Sequence, residues 1–170
     1  MLQPTAVTGV AIERQKQLLD YIRAHPLDSY VFSGPPGVGK TTLLREVELC
    51  ARVARPKNFP VYSQTMTTFQ RDTTAAARGE RVLGLVSPRS VKQDAHWGTW
   101  GIFLDDFDKV SGSEFIRLHV FDFVNAVCET KTQLVLSTNM TKAEFAKFFG
   151  DALKWRIENH CHWVEVARVS

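Results

Sequence analysis

The sequence predicts a three-layer α/β fold, in which helices cover both faces of a mostly parallel five-stranded sheet. Short apolar runs alternate with longer segments of helical periodicity, which is the pattern of parallel βαβ units. The run from Gly101 to Leu104 is apolar throughout, as in a strand covered on both faces. The 170 residues fit one domain, predicted to span 1–170 with an extended lead-in over 1–10.

Individual elements are predicted from apolar spacing and from residues that begin or end helices. Strands are predicted at 30–32, 59–63, 101–104, 133–137 and 163–166. Helices are predicted at 11–24, 42–53, 67–79, 87–95, after Ser113, at 141–150 and at 151–158. Capping is assigned to Thr67 with Gln70, to Ser113, and to Thr141 with Glu144.

In the helix after Ser113, four large side chains recur at helical spacing and are predicted to face the core. They are Phe115, Leu118, Phe121 and Val124.

Composition excludes several classes of protein. The hydrophobic fraction of 44% is usual for a globular core. Cys50, Cys128 and Cys161 are scattered, which predicts reduced thiols in a cytoplasmic protein. No apolar run approaches ~20 residues, so no membrane-spanning helix and no membrane partner are predicted. His160 and His162 flank Cys161 on a strand where successive side chains point to opposite faces, so a metal site formed by all three is disfavoured.

The run from Ser33 to Thr42 fits the phosphate-binding pattern G-x-x-x-x-G-K-[ST], between a strand and a helix. Glycines let backbone N–H groups approach anionic oxygens, and the helix N-terminus adds partial positive charge. Lys40 can reach the β- and γ-phosphates, and the Thr41 hydroxyl can bind Mg²⁺. The pattern indicates a nucleotide triphosphate with Mg²⁺ rather than a turn without a ligand. The predicted binding residues are Gly34, Pro35, Pro36, Gly37, Val38, Gly39, Lys40, Thr41 and Thr42.

Paired acids follow the apolar strand at 101–104, in the pattern of a Walker B element. Asp105 is predicted to hold Mg²⁺, and Asp106 to orient the attacking water, although aspartate is shorter than the glutamate usual there. The alternative is that Asp106 and Asp108 are solvated loop acids. One strand–helix unit separates these acids from Lys40, which leaves room for a strand between the phosphate-loop strand and the acid strand.

A further apolar strand ends in Ser137-Thr138-Asn139, where a polar side chain can hold the lytic water or contact the γ-phosphate. By itself, such an end is only a turn signal.

Together these elements resemble the AAA+ (ASCE-type) P-loop ATPases of the DnaC/IstB type, over about residues 10–167. The resemblance implies that Asn139 is the sensor-1 residue. It implies that Arg156, in Leu153-Lys154-Trp155-Arg156-Ile157, is an arginine finger for a neighbouring subunit. The alternatives are a surface ion pair of Arg156 with Glu158 or Asp151, and Lys154 as the finger.

The same resemblance implies a function in DNA replication or transposition. It implies self-association in the ATP state, and a helicase or transposase as partner. Two departures matter: only about 30 residues precede the phosphate loop, and the few residues after the last strand leave no C-terminal helical lid.

If the chain acts on DNA, basic side chains should contact phosphates, and two tryptophans could stack on bases. The candidates are Arg71, Arg78, Arg81, Arg89 and Lys92, with Trp97 and Trp100. The alternatives are a solvated helix face for the basic residues and the core for the tryptophans.

The sequence thus favours an ATPase that acts on DNA or a DNA-processing partner. A second hypothesis is a nucleotide-gated adaptor with little hydrolysis, since the lid is missing and residue 106 is aspartate. A small-molecule kinase is disfavoured because no arginine-rich substrate lid is evident.

Overall fold

The computed structural model describes residues 12–55, 60–84, 86–94, 101–110 and 112–167. The helices are α1 (Ile12–Ala24), α2 (Lys40–Ala54), α3 (Met66–Ala77), α4 (Pro88–Asp94), α5 (Glu114–Glu129), α6 (Lys142–Phe149) and α7 (Asp151–His160). The strands are β1 (Tyr30–Ser33), β2 (Val61–Thr65), β3 (Gly101–Asp105), β4 (Gln133–Thr138) and β5 (His162–Glu165). A 3₁₀ turn, Phe107–Lys109, follows β3. No helix among the described residues is long and apolar enough to cross a membrane.

The five strands form one sheet in the order β2-β3-β4-β1-β5, and every neighbouring pair is parallel. Because successive side chains of a strand point to opposite faces, each strand contributes to two cores. Phe103 packs on the face covered by α1 and α2, whereas Ile102 and Leu104 pack on the face covered by α3 and α5. The predicted three-layer α/β fold with a parallel five-stranded sheet is confirmed.

A strand does lie between β1 and β3, as the sequence suggested. It is β4, which follows β3 in the chain. The strand–helix unit between Lys40 and the acids supplies β2, which lies at the sheet edge beyond β3. The order of strands therefore places the ends of β1, β4 and β3 side by side, and these ends carry the candidate site.

The cap of α3 differs from the prediction. The Thr65 side chain, not that of Thr67, accepts a hydrogen bond from the backbone N–H of Thr68. Thr65 is extended, with φ −75° and ψ 152°, because β2 continues to that residue and α3 begins directly after it. The Ser113 cap and the capping box of Thr141 with Glu144 are confirmed.

The predicted buried face of α5 is wrong in part. Phe115 and Leu118 are 51% and 59% exposed, and Phe121 is only partly buried. The buried face is instead formed by Ile116, Val120, Phe123, Val124, Ala126 and Val127. Apolar residues lie on two adjacent sides of this helix, so both stripes satisfy helical periodicity. Packing against the sheet, α4 and α7 selects one of them.

Several predictions lie outside the described residues. These concern the lead-in at 1–10, the strand start at Phe59, the residue Ala95, and the stacking candidates Trp97 and Trp100. At the other end, the described chain continues past β5 only through Val166 and Ala167.

Candidate functional site

The phosphate loop connects β1 to α2 across the carboxyl ends of the strands. A Cβ at Gly34 would collide with the carbonyl oxygen of Val166, so only glycine fits where the loop leaves the sheet. Gly37 and Gly39 have φ values of 77° and 94°, in the left-handed region that glycine favours. No side chain among the described residues caps α2 at Gly39. The first N–H groups of this 15-residue helix therefore remain available to an anion.

Lys40 begins α2 and is buried, although its side chain ends in a charge. Its Nζ donates hydrogen bonds to the carbonyl oxygens of Gly34 at 2.8 Å and Pro35 at 2.7 Å. Burial lowers the pKa of Lys40, and the negative charges of three nearby aspartates oppose that shift. The ammonium group thus lies inside the loop and donates to two of its carbonyl oxygens, in a position from which it could also contact a bound phosphate. Pro35, Pro36 and Gly37 are exposed at the tip of the loop.

Thr41 and Asp105 meet although they lie on different elements. The Thr41 Oγ1 hydroxyl lies 3.1 and 3.0 Å from the two carboxylate oxygens of Asp105 and donates to them. Hydroxyl and carboxylate oxygens are the ligand types that Mg²⁺ prefers, and Mg²⁺ usually takes only one or two protein ligands besides phosphate and water. Among the described residues no group of three His, Cys, Asp or Glu side chains could hold a metal ion. These two residues fit a Mg²⁺ ion shared with a triphosphate.

Ser137 is a member of the site that the sequence did not single out. It is buried at the end of β4, and the pairing of Leu104 with Leu136 places it beside Asp105. Its hydroxyl donates to the Asp105 Oδ1 oxygen and accepts from the backbone N–H of Asp106 at 2.9 Å. The sequence did show a hydroxyl residue near the end of an apolar strand. It could not show that Asp105 is the partner of this hydroxyl, because that depends on the register of β3 with β4.

Asp106 occupies a strained position. Its backbone has φ 55° and ψ 48°, a left-handed conformation that is uncommon for residues other than glycine. Its N–H also contacts the Asp105 Oδ1 oxygen at 3.1 Å. Burial, and then the negative charges of Asp105 and Asp108, raise the pKa of Asp106. The site therefore makes this carboxyl group more basic than an ordinary aspartate, which suits a proton acceptor.

Asp108 is not a solvated loop acid, because its side chain is only 10% exposed. Its Oδ1 oxygen accepts from the backbone N–H of Asn139 at 2.9 Å, and its Oδ2 oxygen accepts from the side-chain Nδ2 at 3.1 Å. Asn139 thus lies at the same edge as the acids, where the sequence predicted it.

Arg156 is not among the charges that act on Lys40 or Asp106. It lies instead near the Cys128 thiol of α5: burial raises the pKa of this thiol to about 11, and the charge of Arg156 opposes the rise. Arg156 forms no salt bridge with another described residue. The proposed partner Glu158 pairs with Lys154 at 3.0 Å and Lys142 at 3.4 Å.

The candidate DNA contacts divide into two groups. Arg71 pairs with Asp72 at 3.0 Å, and Lys92 pairs with Glu129 at 2.9 Å. Arg78, Arg81 and Arg89 are exposed around the connection between α3 and α4 and form no salt bridge with a described residue.

The phosphate loop, the acid strand and the five parallel strands define a class of nucleotide-binding ATPase folds. The family model "ATPase family associated with various cellular activities (AAA)" matches residues 30–146. This is more than half of the chain, and the chain belongs to the AAA family. No curated protein sequence matches the chain.

Solved structures share this fold at low sequence identity. The DnaC helicase loader has a TM-score of 0.70 and 15% identity, covering 94% of this chain and 93% of its own. DnaI has a TM-score of 0.61 and 12% identity, covering 95% of this chain and 84% of its own. AMPPCP-bound DnaA from Aquifex aeolicus has a TM-score of 0.65 and 19% identity, covering 94% of this chain and 48% of its own. The chain thus spans about half the length of that DnaA, and the predicted resemblance is confirmed at the level of family and fold.

Proposed function

We propose that the chain binds ATP with Mg²⁺ and hydrolyses it, as a helicase-loader-like or transposase-helper ATPase of the cytoplasm. The observation that carries this proposal is the contact of Thr41 with Asp105, beside a buried Lys40. It brings together a phosphate-binding loop and a Mg²⁺-binding carboxylate, the two parts that ATP hydrolysis needs.

In this mechanism the loop N–H groups and Lys40 bind the phosphates, while Thr41 and Asp105 bind the cation. Mg²⁺, when bound, neutralises charge on the phosphate oxygens. Asp106 accepts the proton of the attacking water, since its raised pKa brings it closer to neutral pH. Asn139 holds the water or the γ-phosphate from the end of β4.

Arg156 is assigned to a neighbouring subunit's site. One observation supports this: Arg156 forms no salt bridge with another described residue, although its charge acts on the nearby Glu129 carboxylate of α5. An arginine supplied in trans raises hydrolysis by roughly 10³–10⁵-fold in related chemistry. Self-association in the ATP state would then be required for turnover.

DNA is proposed as the ligand of Arg78, Arg81 and Arg89, which are exposed and form no salt bridge with a described residue. The DnaA structure bound to AMPPCP and single-stranded DNA, at 18% identity and a TM-score of 0.64, makes single-stranded DNA the first probe. Such contacts should be sequence-independent and salt-dependent. A helicase or a transposase remains the proposed protein partner.

The test measures ATP binding, hydrolysis and size in the same preparations. Lys40→Ala should abolish binding of a fluorescent ATP analogue, while Lys147→Ala, an exposed lysine on α6, should bind like the wild type. Turnover should rise with protein concentration and with single-stranded DNA. A non-hydrolysable analogue should increase the molecular mass in solution. Wild-type protein that binds no ATP would refute the proposal.

The second candidate is a nucleotide-gated adaptor that binds ATP with little hydrolysis. It is favoured by the left-handed backbone of Asp106 and by the side chain there, which is one methylene shorter than glutamate. Single-turnover hydrolysis with DNA present separates the two functions. A wild-type rate equal to that of Asp105→Asn, with ATP binding intact, would support the adaptor.

A further inference from the structure

Asp108 lies in the 3₁₀ turn after β3, beside the candidate site. The preceding residue, Phe107, is fully buried against the rings of Phe145 and Phe149, whose centroids are 5.8 and 5.0 Å away. The turn closes through a hydrogen bond from Lys109 N to the Asp106 carbonyl oxygen at 2.8 Å. The backbone that carries Asp108 is therefore fixed on both sides.

The Asp108 carboxylate accepts two hydrogen bonds from Asn139. One oxygen accepts from the Asn139 backbone N–H at 2.9 Å, and the other accepts from the side-chain Nδ2 at 3.1 Å. The salt bridge of the carboxylate is with Lys109, at 3.7 Å, and the Lys109 side chain is 57% exposed. An exposed pair at this distance contributes little, so the contacts to Asn139 dominate.

Two simultaneous hydrogen bonds to a charged group restrict the side chain more than one neutral bond would. The backbone contact fixes where the carboxylate sits, and the Nδ2 contact fixes which way the amide of Asn139 turns. The Asn139 Oδ1 oxygen accepts no hydrogen bond from another described residue. The amide is therefore held with its oxygen free to accept a hydrogen bond from water.

We propose that Asp108 is a positioning residue, which holds the Asn139 amide in one orientation with its oxygen available to the attacking water. This role rests on the proposed ATP hydrolysis. In the proposed role, Asp108 itself contacts neither the nucleotide nor the attacking water. Preorganised groups accelerate a reaction because they need not reorient when charge develops. Loss of the two hydrogen bonds between Asp108 and Asn139 should therefore lower the rate of ATP hydrolysis while leaving ATP binding intact.

A purely structural role would also fit the two hydrogen bonds, since they join the turn after β3 to the end of β4. The two roles differ in how variants combine. If Asp108 acts only through Asn139, then Asp108→Ala should cost nothing further once Asn139 is already alanine. If Asp108 only stabilises the turn, its effects on rate should follow its effects on folding and should add to those of Asn139→Ala.

The kinetic experiment is a double-mutant cycle on the full chain under single turnover. Asp108→Ala should lower the rate by about tenfold or more, with affinity for a fluorescent ATP analogue changed less than about threefold. Asn139→Ala and the double variant should share one rate. Asp108→Glu should recover part of the loss, because it keeps both acceptor oxygens. Asp72→Ala, which removes a part-buried aspartate of α3 paired with Arg71, is the matched control and should keep the wild-type rate.

A second readout does not depend on hydrolysis. In the ¹⁵N-labelled full chain, Asn139→Ala identifies the side-chain amide resonances of residue 139. In the wild type, the proton that donates to Asp108 should be shifted downfield of its partner. Asp108→Ala should remove that shift, and Asp72→Ala should leave it. Should Asp108→Ala fail to fold, Asp108→Asn serves in both experiments, because its amide can accept only one of the two hydrogen bonds.

Unchanged amide resonances in the Asp108 variants would overturn the proposal, and so would rate losses that add to those of Asn139→Ala. A wild-type protein that binds ATP but does not hydrolyse it would refute the proposed function alone. In that case the amide resonances still decide whether Asp108 orients Asn139.

Discussion

Thr41 and Asp105 are 64 positions apart in the chain, and the Thr41 hydroxyl lies within 3.1 Å of both carboxylate oxygens of Asp105. One residue belongs to the first turn of α2 and the other ends β3, which is separated from β1 by β4. The parallel sheet makes this contact possible, because the carboxyl ends of all its strands meet at one edge.

The first prediction concerns the cation. Thr41→Ala removes a hydroxyl ligand but leaves Lys40 and the loop N–H groups, so it should weaken only the Mg²⁺-dependent part of ATP binding. Titration of a fluorescent ATP analogue with Mg²⁺ and with EDTA measures this. We expect about a tenfold loss of affinity with Mg²⁺ and less than about a twofold change with EDTA. Equal losses in both conditions would mean that Thr41 acts on the loop and not on the cation.

The second prediction concerns Ser137, which fixes the Asp105 carboxylate from β4. Ser137→Ala should raise the Mg²⁺ concentration needed for half-maximal nucleotide binding by about threefold to tenfold, because second-layer hydrogen bonds orient metal ligands. Its matched control is Ser29→Ala. Ser29 is a buried serine at the opposite end of the sheet, and it accepts from the backbone N–H of Leu134 at 2.9 Å. Both variants should lose about 1 kcal/mol of stability, and a Mg²⁺ effect of equal size in both would contradict the role of Ser137.

The third prediction is that Asp106→Asn stabilises the fold. A carboxyl group whose folded pKa is raised favours folding most below its unfolded pKa of about 4, and this contribution is lost as pH rises through the folded pKa. Asparagine cannot ionise, and it tolerates the left-handed backbone of this position. At pH 7.5 the melting temperature should rise by about 2–4 °C, which corresponds to roughly 1 kcal/mol in a chain of this size. The gain should shrink below about pH 4.

The same substitution should remove hydrolysis while it stabilises the protein. Without a proton acceptor, the single-turnover rate should fall by about 100-fold. In the wild type, the rate should decline on the acid side through the raised pKa of Asp106, above the range of an ordinary aspartate. A rate that is independent of pH down to about pH 4 would remove Asp106 from this role.

The fourth prediction concerns Arg156, which should act on a neighbouring subunit. Arg156→Ala should bind ATP normally and lose about 100-fold or more in turnover at high protein concentration, where the wild type is assembled. Mixing it with Lys40→Ala, which keeps its arginine but binds no ATP, should restore part of the activity. The control is Arg52→Ala, a surface arginine paired with Glu48 at 2.7 Å. Absence of complementation in the mixture would argue against a shared site.

The fifth prediction tests which face of α5 is buried. Phe123→Ala should lose about 3–5 kcal/mol of unfolding free energy, because this side chain is fully buried and packs against Phe69 of α3. Phe115→Ala on the same helix should change it by less than about 0.5 kcal/mol. Urea unfolding of the two variants makes the comparison, with the native baseline as a check on folding. Similar losses in both would restore the face that the sequence predicted.

Local patterns in the sequence were sufficient for the strands, the phosphate loop and two of the helix caps. The loop needs particular residues at fixed spacing, and the capping box of Thr141 with Glu144 spans only four positions. The face of α5 could not be predicted, because Phe115 and Phe123 both satisfy helical periodicity and only packing against α4, α7 and the sheet separates them.

The sequence by itself determined the class of fold, the glycines, Lys40 and Thr41 of the loop, and the acids that end β3. Only the tertiary structure decided which side chains join them. Ser137 reaches Asp105 through the register of β3 with β4, and Asp108 holds Asn139 from 31 positions away. The physical reason is the distance along the chain over which each kind of interaction acts. Backbone conformation and capping depend on neighbours in the chain, whereas hydrogen bonds across strand ends depend on strand order and register, which the whole core sets.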